Sequence, residues 1–229
     1  MDIIDFVLND TINQESSEKN IIDLIKQDKE LCSMLEEDNI LVENLNQLEK
    51  YPILENKSPR LCTDRLDGVL HSCYIWLHTH SLNQIKEVYD NIIVLENEDG
   101  KKELGFTNQK VCESFTQMVE VYAKTLQSCE TKYILKYICE LIKKAIYQNL
   151  FTLEDLYIKK ESEIIHILKE NFPSFTLFNE SQSLIKTNIQ PNQFYVSIDT
   201  KKRNVIPLLK INDTSKRIID VSKNLKNFY

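Results

Sequence analysis

Apolar residues recur at helical spacing through most of this chain, with a few clear interruptions. From Ser17 to Glu37, the positions Ile21, Ile22, Ile25, Leu31, Cys32 and Leu35 predict one or two helices, with the Ser16-Ser17 pair available as a cap. The pattern breaks between Tyr51 and Ser58. Ser58-Pro59 then supplies an N-cap followed by proline at the first helical position. The helix predicted from there runs toward His80 and carries Leu61, Leu66, Val69, Leu70, Cys73, Trp76 and Leu77 as a broad apolar surface. Ser81 is placed to cap the next one.

At Ile92 the period changes. IIVLE, NEDGKK and ELGF read as a short β-hairpin with Asp99-Gly100 in its turn, after which Thr107 or Asn108 restarts helix. Val111, Phe115, Met118, Val119, Tyr122 and Leu126 form one apolar stripe, and Tyr133, Ile134, Tyr137, Ile138, Leu141, Ile142, Ala145 and Ile146 form a second; the two helices are expected to pack together. Thr152 and Asp155 resemble a capping box ahead of a short helix and another through Ile164, Ile165 and Leu168, and Pro173 is expected to end the helical region. Beyond it, FYVSI and VIPLL alternate with polar turns and suggest strands. The predicted fold is mainly α: a helical bundle with a short β-hairpin over residues 1–172, and a small α+β appendage over residues 173–229.

Composition narrows the functional classes. A hydrophobic fraction of 42% with 28% charged residues belongs to a soluble globular chain, and no apolar run approaches a spanning helix. The N-terminus MDIIDFVLND is too short and acidic for a signal or transit peptide, so the expected location is cytoplasmic, with no membrane partner. The net charge of −7 disfavours general nucleic-acid binding. Only three glycines are present (Gly68, Gly100, Gly105), so there is no phosphate-cradling or dinucleotide loop. Cys32, Cys62, Cys73, Cys112, Cys129 and Cys139 form no CxxC pair and are read as reduced core thiols.

The stretch Leu61-Cys62-Thr63-Asp64-Arg65-Leu66-Asp67-Gly68 holds the most chemistry. On a helix Asp64, Asp67, Gly68 and His71 follow i, i+3, i+4 and i+7, so two carboxylates and an imidazole share one face. Such a face could hold a divalent metal; it could equally be a solvated face with ordinary Asp-Arg pairing.

LCTDRLDG resembles the LCADRIDY segment of the HD-domain phosphohydrolases, whose metal site is a His, a His-Asp pair and a later Asp. Asp64 matches that last aspartate. The resemblance continues in order through DFVLND, ENKSPRLC, the hairpin IIVLENEDGKKELGF, the helices to LEDLY, and KKRNVIPL, covering nearly the whole chain. It implies an HD-domain-like helical bundle, a divalent metal ion as the family's cofactor, and nucleotide (dNTP) phosphohydrolysis. The sequence departs from the family where the chemistry lies. The family's first histidine and His-Asp pair would precede DFVLND, where the sequence begins. A further histidine, in a stretch resembling NHQDN, corresponds to Ser17 of SSEKN, and the tyrosine after the Asp-Arg-x-Asp corresponds to Gly68. The expectation is an HD-related protein in which Asp64 alone does not hold a metal tightly, so that the chain is catalytically inactive as it stands. The alternatives are a binding or oligomerisation module, self-assembling or partnering an intact HD-domain paralogue, and a fragment of an active enzyme.

Arg65 matches the basic residue after the family's aspartate and is a candidate phosphate contact, its other reading being a pair with Asp64 or Asp67. Lys201, Lys202 and Arg203 resemble a KxR motif of the family's C-terminal region and could meet a nucleotide phosphate, against the reading of a solvated turn. His78 and His80 sit at an expected helix end, where interaction with the dipole is the simpler role. Trp76, Met118, Tyr122, Tyr133 and Tyr137 are assigned to the core, and His166 has no evident partner.

Overall fold

A computed structural model describes residues 3–47, 50–181, 183–184 and 195–225. Among them it is mainly α, with helices α1 (Ile3–Val7), α2 (Ile21–Gln27), α3 (Lys29–Glu37), α4 (Thr63–His71), α5 (Leu82–Asp90), α6 (Gln109–Leu126), α7 (Cys129–Tyr147), α8 (Asp155–Ile158), α9 (Glu161–Asn171), α10 (Pro173–Glu180) and α11 (Ile218–Val221). Strands β1 (Ile92–Glu96), β2 (Lys102–Phe106), β3 (Leu208–Ile211) and β4 (Thr214–Arg217) make one sheet in the order β1-β2-β3-β4. Two compact units result, Met1–Asn20 with Leu126–Lys201, and Ile21–Thr125 with Lys202–Tyr229. This division differs from the expected cut near residue 172.

In the first unit, Phe6 and Val7 of α1 join Cys139, Leu141, Ile142 and Ala145 of α7, Phe151, Ile164, Leu168 and Phe175 in one apolar core. Local signals place the helices. Ser128 caps α7 by accepting from Thr131 N, and Thr152 and Asp155 bond reciprocally before α8. Pro173 does not end the helical region but occupies the first turn of α10, where its missing N–H costs nothing. After α1 the chain is ordered by two carboxylates. Buried Asp5 accepts from Ser17 N, and Asp10 accepts from the amides of Asn13, Glu15 and Ser16 and from the Ser16 hydroxyl. The returning segment is held where Gln127 donates to Lys201 O and accepts from Thr200 Oγ1.

In the second unit, Leu61, Leu66, Val69, Leu70 and Cys73 pack with Val88, Leu104, Phe106, Val111, Phe115, Met118, Val119, Val205, Leu209 and Ile218. The expected packing of the α6 stripe on the α7 stripe is corrected here: α6 buries its apolar positions in this core and α7 in the other. β1 and β2 form the predicted hairpin, with Gly100 at φ +70° in its turn. β3 then joins β2 in parallel, and β4 closes antiparallel on β3. The strands past residue 202 thus extend the hairpin instead of forming a separate sheet. Of FYVSI, Phe194 lies outside the described residues and Tyr195–Ile198 is not strand. Gly105 allows the close β2–β3 approach, since a Cβ there would lie 2.7 Å from Leu208 O and 2.6 Å from Leu95 Cδ1.

Two further expectations need correction. Helix α4 begins at Thr63, not at Ser58-Pro59, and after His71 it passes into a π-helical turn, Ser72–Trp76. Trp76 is half exposed at 50% rather than core. The stripe beginning at Ile21 builds two helices as expected, α3 being capped by Asp28, and from Ile21 to Gln47 none of the described side chains is buried.

Candidate functional site

The site expected around Asp64 lies at the start of α4 in the second unit. Cys62 is the N-cap residue but offers no side-chain cap. The first helical amides are satisfied by the preceding loop instead: Thr63 N donates to Ile53 O at 2.8 Å and Asp64 N to Leu54 O at 3.2 Å. Asn56 braces that loop by donating to Pro52 O and Leu61 O. With its leading amides taken by carbonyls, this helix N-terminus is not free to cradle an anion.

From the other side the loop is fixed by Glu103, a fully buried carboxylate on β2. It accepts from Leu61 N at 3.1 Å, Asn97 Nδ2 at 3.0 Å, and both terminal nitrogens of Arg217 at 2.6 and 2.9 Å. Burial pulls the Arg217 guanidinium down, but Glu103 and Glu98 outweigh it and hold Arg217 above its ordinary value. Neither Glu103 nor Arg217 was singled out from the sequence. The only hint was a glutamate inside an apolar strand.

Arg65 turns into the loop, away from any ligand. Its guanidinium donates to Asn56 Oδ1 at 2.6 Å, Arg60 O at 3.1 Å, Cys62 Sγ at 3.0 Å and Glu55 Oε1 at 2.8 Å, and also to Asn56 O. It pairs with Glu55, not with Asp64 or Asp67. Asp64, Asp67 and His71 are exposed on α4, and Asp67 and His71 make no hydrogen bond or ion pair to a described residue.

Among the described residues, Glu55, Cys62 and Asp64 are the one group of metal-type ligands that converges, their donor atoms lying within 4.8 Å of one another. The donor set does not suit a resident divalent ion. Arg65 already places its positive charge against Glu55 and Cys62, and burial pushes the Cys62 thiol up, away from the thiolate a metal needs. Glu55 and Cys62 with Arg65 form a structural cluster, with exposed Asp64 at its edge.

Tyr122 on α6 packs against the core of the second unit, as expected. Burial pushes the Tyr122 phenol up; the Arg203 charge opposes that rise and the Asp64 charge adds to it. Lys202 is exposed in the same unit, while Lys201 belongs to the first unit, its amide bonded to Thr11 O. His78 follows the π-helical turn at φ +50°, and burial pulls His80 down, toward the neutral form, which does not serve a helix dipole. His166 pairs with Glu170 at 3.2 Å on the α9 surface. An open cleft of about 490 Å³ lies between Lys50–Leu54 and Lys101-Lys102, and its lining includes none of the expected site residues.

No protein-family model matches the chain, and no solved structure matches it. The chain is 22% identical over 178 residues to the uncharacterized protein YdhJ of Bacillus subtilis (strain 168), an alignment covering 77% of this chain and 51% of that protein. The chain thus spans about half the length of the curated relative it matches. Among the described residues, no helix is long and apolar enough to cross a membrane.

Proposed function

We propose that the chain is the helical body of an HD-domain phosphohydrolase relative that works in the cytoplasm as a binding or assembly unit and does not hydrolyse nucleotides by itself. The observation that carries this reading is the commitment of Arg65, Glu55 and Cys62 to one another, which leaves Asp64 without either of them as a co-ligand. Activating water with a divalent ion takes several ligands and an enclosing second shell, and one carboxylate supplies neither. The test is release of phosphate or triphosphate from dNTPs by the purified chain with Mg²⁺ or Mn²⁺. Turnover no greater than that of Asp64→Ala is expected. Metal-dependent hydrolysis abolished by Asp64→Ala would overturn the reading.

A second reading is favoured by the open α4 face. Asp67 and His71 are without partners among the described residues. A polypeptide supplying the His and His-Asp ligands, such as an intact HD-domain paralogue, would find Asp64 exposed there. Mixing the chain with such a paralogue should then raise dNTP hydrolysis, and Asp64→Ala in this chain should remove the gain. An unchanged rate on mixing counts against it.

A further inference from the structure

The open cleft between residues 50–54 and 101–102 lies within the second unit, and the same buried carboxylate fixes both of its walls. Glu103 accepts from Leu61 N on the loop side and from Asn97 Nδ2 on the hairpin side. Asn97 in turn holds the hairpin turn, accepting from the amides of Asp99 and Lys101. On the loop side Leu54 N and Glu55 N donate to Tyr51 O, Asn56 Nδ2 to Pro52 O and Leu61 O, and the amide and hydroxyl of Thr63 to Ile53 O. Ile53 packs against the core, while Tyr51 and Leu54 are 46% and 49% exposed. The cleft, about 490 Å³, thus has a braced apolar floor and a size within the roughly 300–1,000 Å³ of small-molecule sites.

Its charges are uncompensated. Lys50, Lys101 and Lys102 line the cleft, and none of them forms an ion pair with a described residue; Lys50 donates to the neutral side chain of Gln47. The neighbouring acids are held by arginines: Glu55 by Arg65, Asp99 by Arg60, and Glu98 and Glu103 by Arg217. Glu96 stands opposite Lys102 in the β1–β2 ladder, but its carboxylate lies by the turn, where a Cβ on Gly100 would be 3.9 Å from Glu96 Oε1. We propose that this cleft binds a small aromatic anion, its ring lying on Tyr51, Pro52 and Leu54 and its anionic group met by Lys50, Lys101 and Lys102. On a chain of net charge −7, ammonium groups without counter-ions around one apolar surface select an anion, and the exposed Tyr51 ring favours a flat aromatic body over a branched one. The lysines are solvated, so binding is moderate and weakens with salt. This site is independent of any relation to the HD-domain proteins.

Anilinonaphthalenesulfonate, a flat aromatic body with one sulfonate, is the probe. Fluorescence titration of the full chain should show saturable binding, and amide NMR should place it, with shifts centred on residues 51–54 and 101–102. Lys50→Gln, Lys101→Gln and Lys102→Gln combined should weaken binding roughly ten-fold, at about two-fold or more for each solvated contact. Lys29→Gln, Lys86→Gln and Lys110→Gln combined make the same change of net charge at other exposed positions, and should leave the affinity within about two-fold. Tyr51→Ala should weaken binding too, and the neutral analogue phenylnaphthylamine should bind roughly ten-fold more weakly than the sulfonate. All the substituted side chains are exposed, so the circular dichroism should stay unchanged. No saturable binding below about 1 mM overturns the proposal. So do equal losses in the two triple variants, equal affinity for the neutral analogue, or NMR shifts centred elsewhere.

Discussion

Replacing Glu103 with alanine strikes the group that ties the sheet to the loop before α4. Its carboxylate is fully buried, and its departure orphans Leu61 N and removes two of the bonds that satisfy Arg217. Breaking a buried ion pair from one side costs about 3–5 kcal/mol, because the other charge is stranded. Arg217 keeps Glu98 at 2.8 Å, which moderates that cost, while the orphaned amide adds about 1–3 kcal/mol of its own. These contributions overlap, so a loss of about 3–5 kcal/mol is expected, a large part of a typical total of about 5–15 kcal/mol. Urea unfolding measures the loss, and hydrogen exchange should show the Leu61 amide deprotected in the variant. Glu103→Ala combined with Arg217→Met should cost less than the two changes added together, since no cation is left stranded. A loss below about 1 kcal/mol for Glu103→Ala, or strict additivity in the double variant, would refute the argument.

The glycines should respond in opposite directions: Gly105→Ala meets Leu208 O and should cost about 1–3 kcal/mol, whereas Gly68→Ala, with nothing within 4 Å, should stabilise α4 by about 1 kcal/mol, both read by thermal unfolding. Iodoacetamide followed by peptide mass spectrometry should label exposed Cys129 first and half-buried Cys32 next. Burial raises the thiols of Cys62, Cys73, Cys112 and Cys139, and early labelling of any of these four in the native protein would contradict their placement. Asp10 should titrate at about 2 by carboxyl NMR, held down chiefly by the Glu15 amide. A depressed carboxylate stabilises above its unfolded value of 3.8 and loses that contribution as pH falls through about 2, so Asp10→Asn should flatten the acid limb of stability over that window.

The features legible in the sequence are those whose partners lie within a few residues. Ser81 with Gln84, Thr152 with Asp155, and the Asp99-Gly100 turn are all interactions of near neighbours, and each falls where the pattern placed it. The start of α4 was misplaced for the opposite reason. Ser58 has the chemistry of a cap, but its hydroxyl is bonded to Asn204, 146 residues away, and Leu61 N to Glu103, 42 residues away. Long-range bonds hold residues 58–62 out of the helix, and no local signal reports them. The two long apolar stripes were read correctly as helices, but periodicity gives only the direction of a buried face and not the surface it meets.

The Asp64 region shows how the same residues can serve a different purpose from the one their spacing suggests. Aspartate and arginine side by side invite a picture of metal and phosphate chemistry, yet Arg65 is spent on the loop, on Glu55, Cys62 and two carbonyls, while Asp64, its carboxylate within 4.8 Å of the Glu55 and Cys62 ligand atoms, stays exposed. Seen energetically, the guanidinium does what a cation in that place would do: it neutralises Glu55, accompanies the Cys62 sulfur and satisfies two backbone carbonyls. A metal competing for Glu55 and Cys62 would have to displace Arg65 and leave a half-buried guanidinium and the carbonyls of Asn56 and Arg60 without partners. The loop is stable because the arginine is there. Any ligand of Asp64 must therefore approach from the open side of α4, past Asp67 and His71, and bring its own remaining contacts with it.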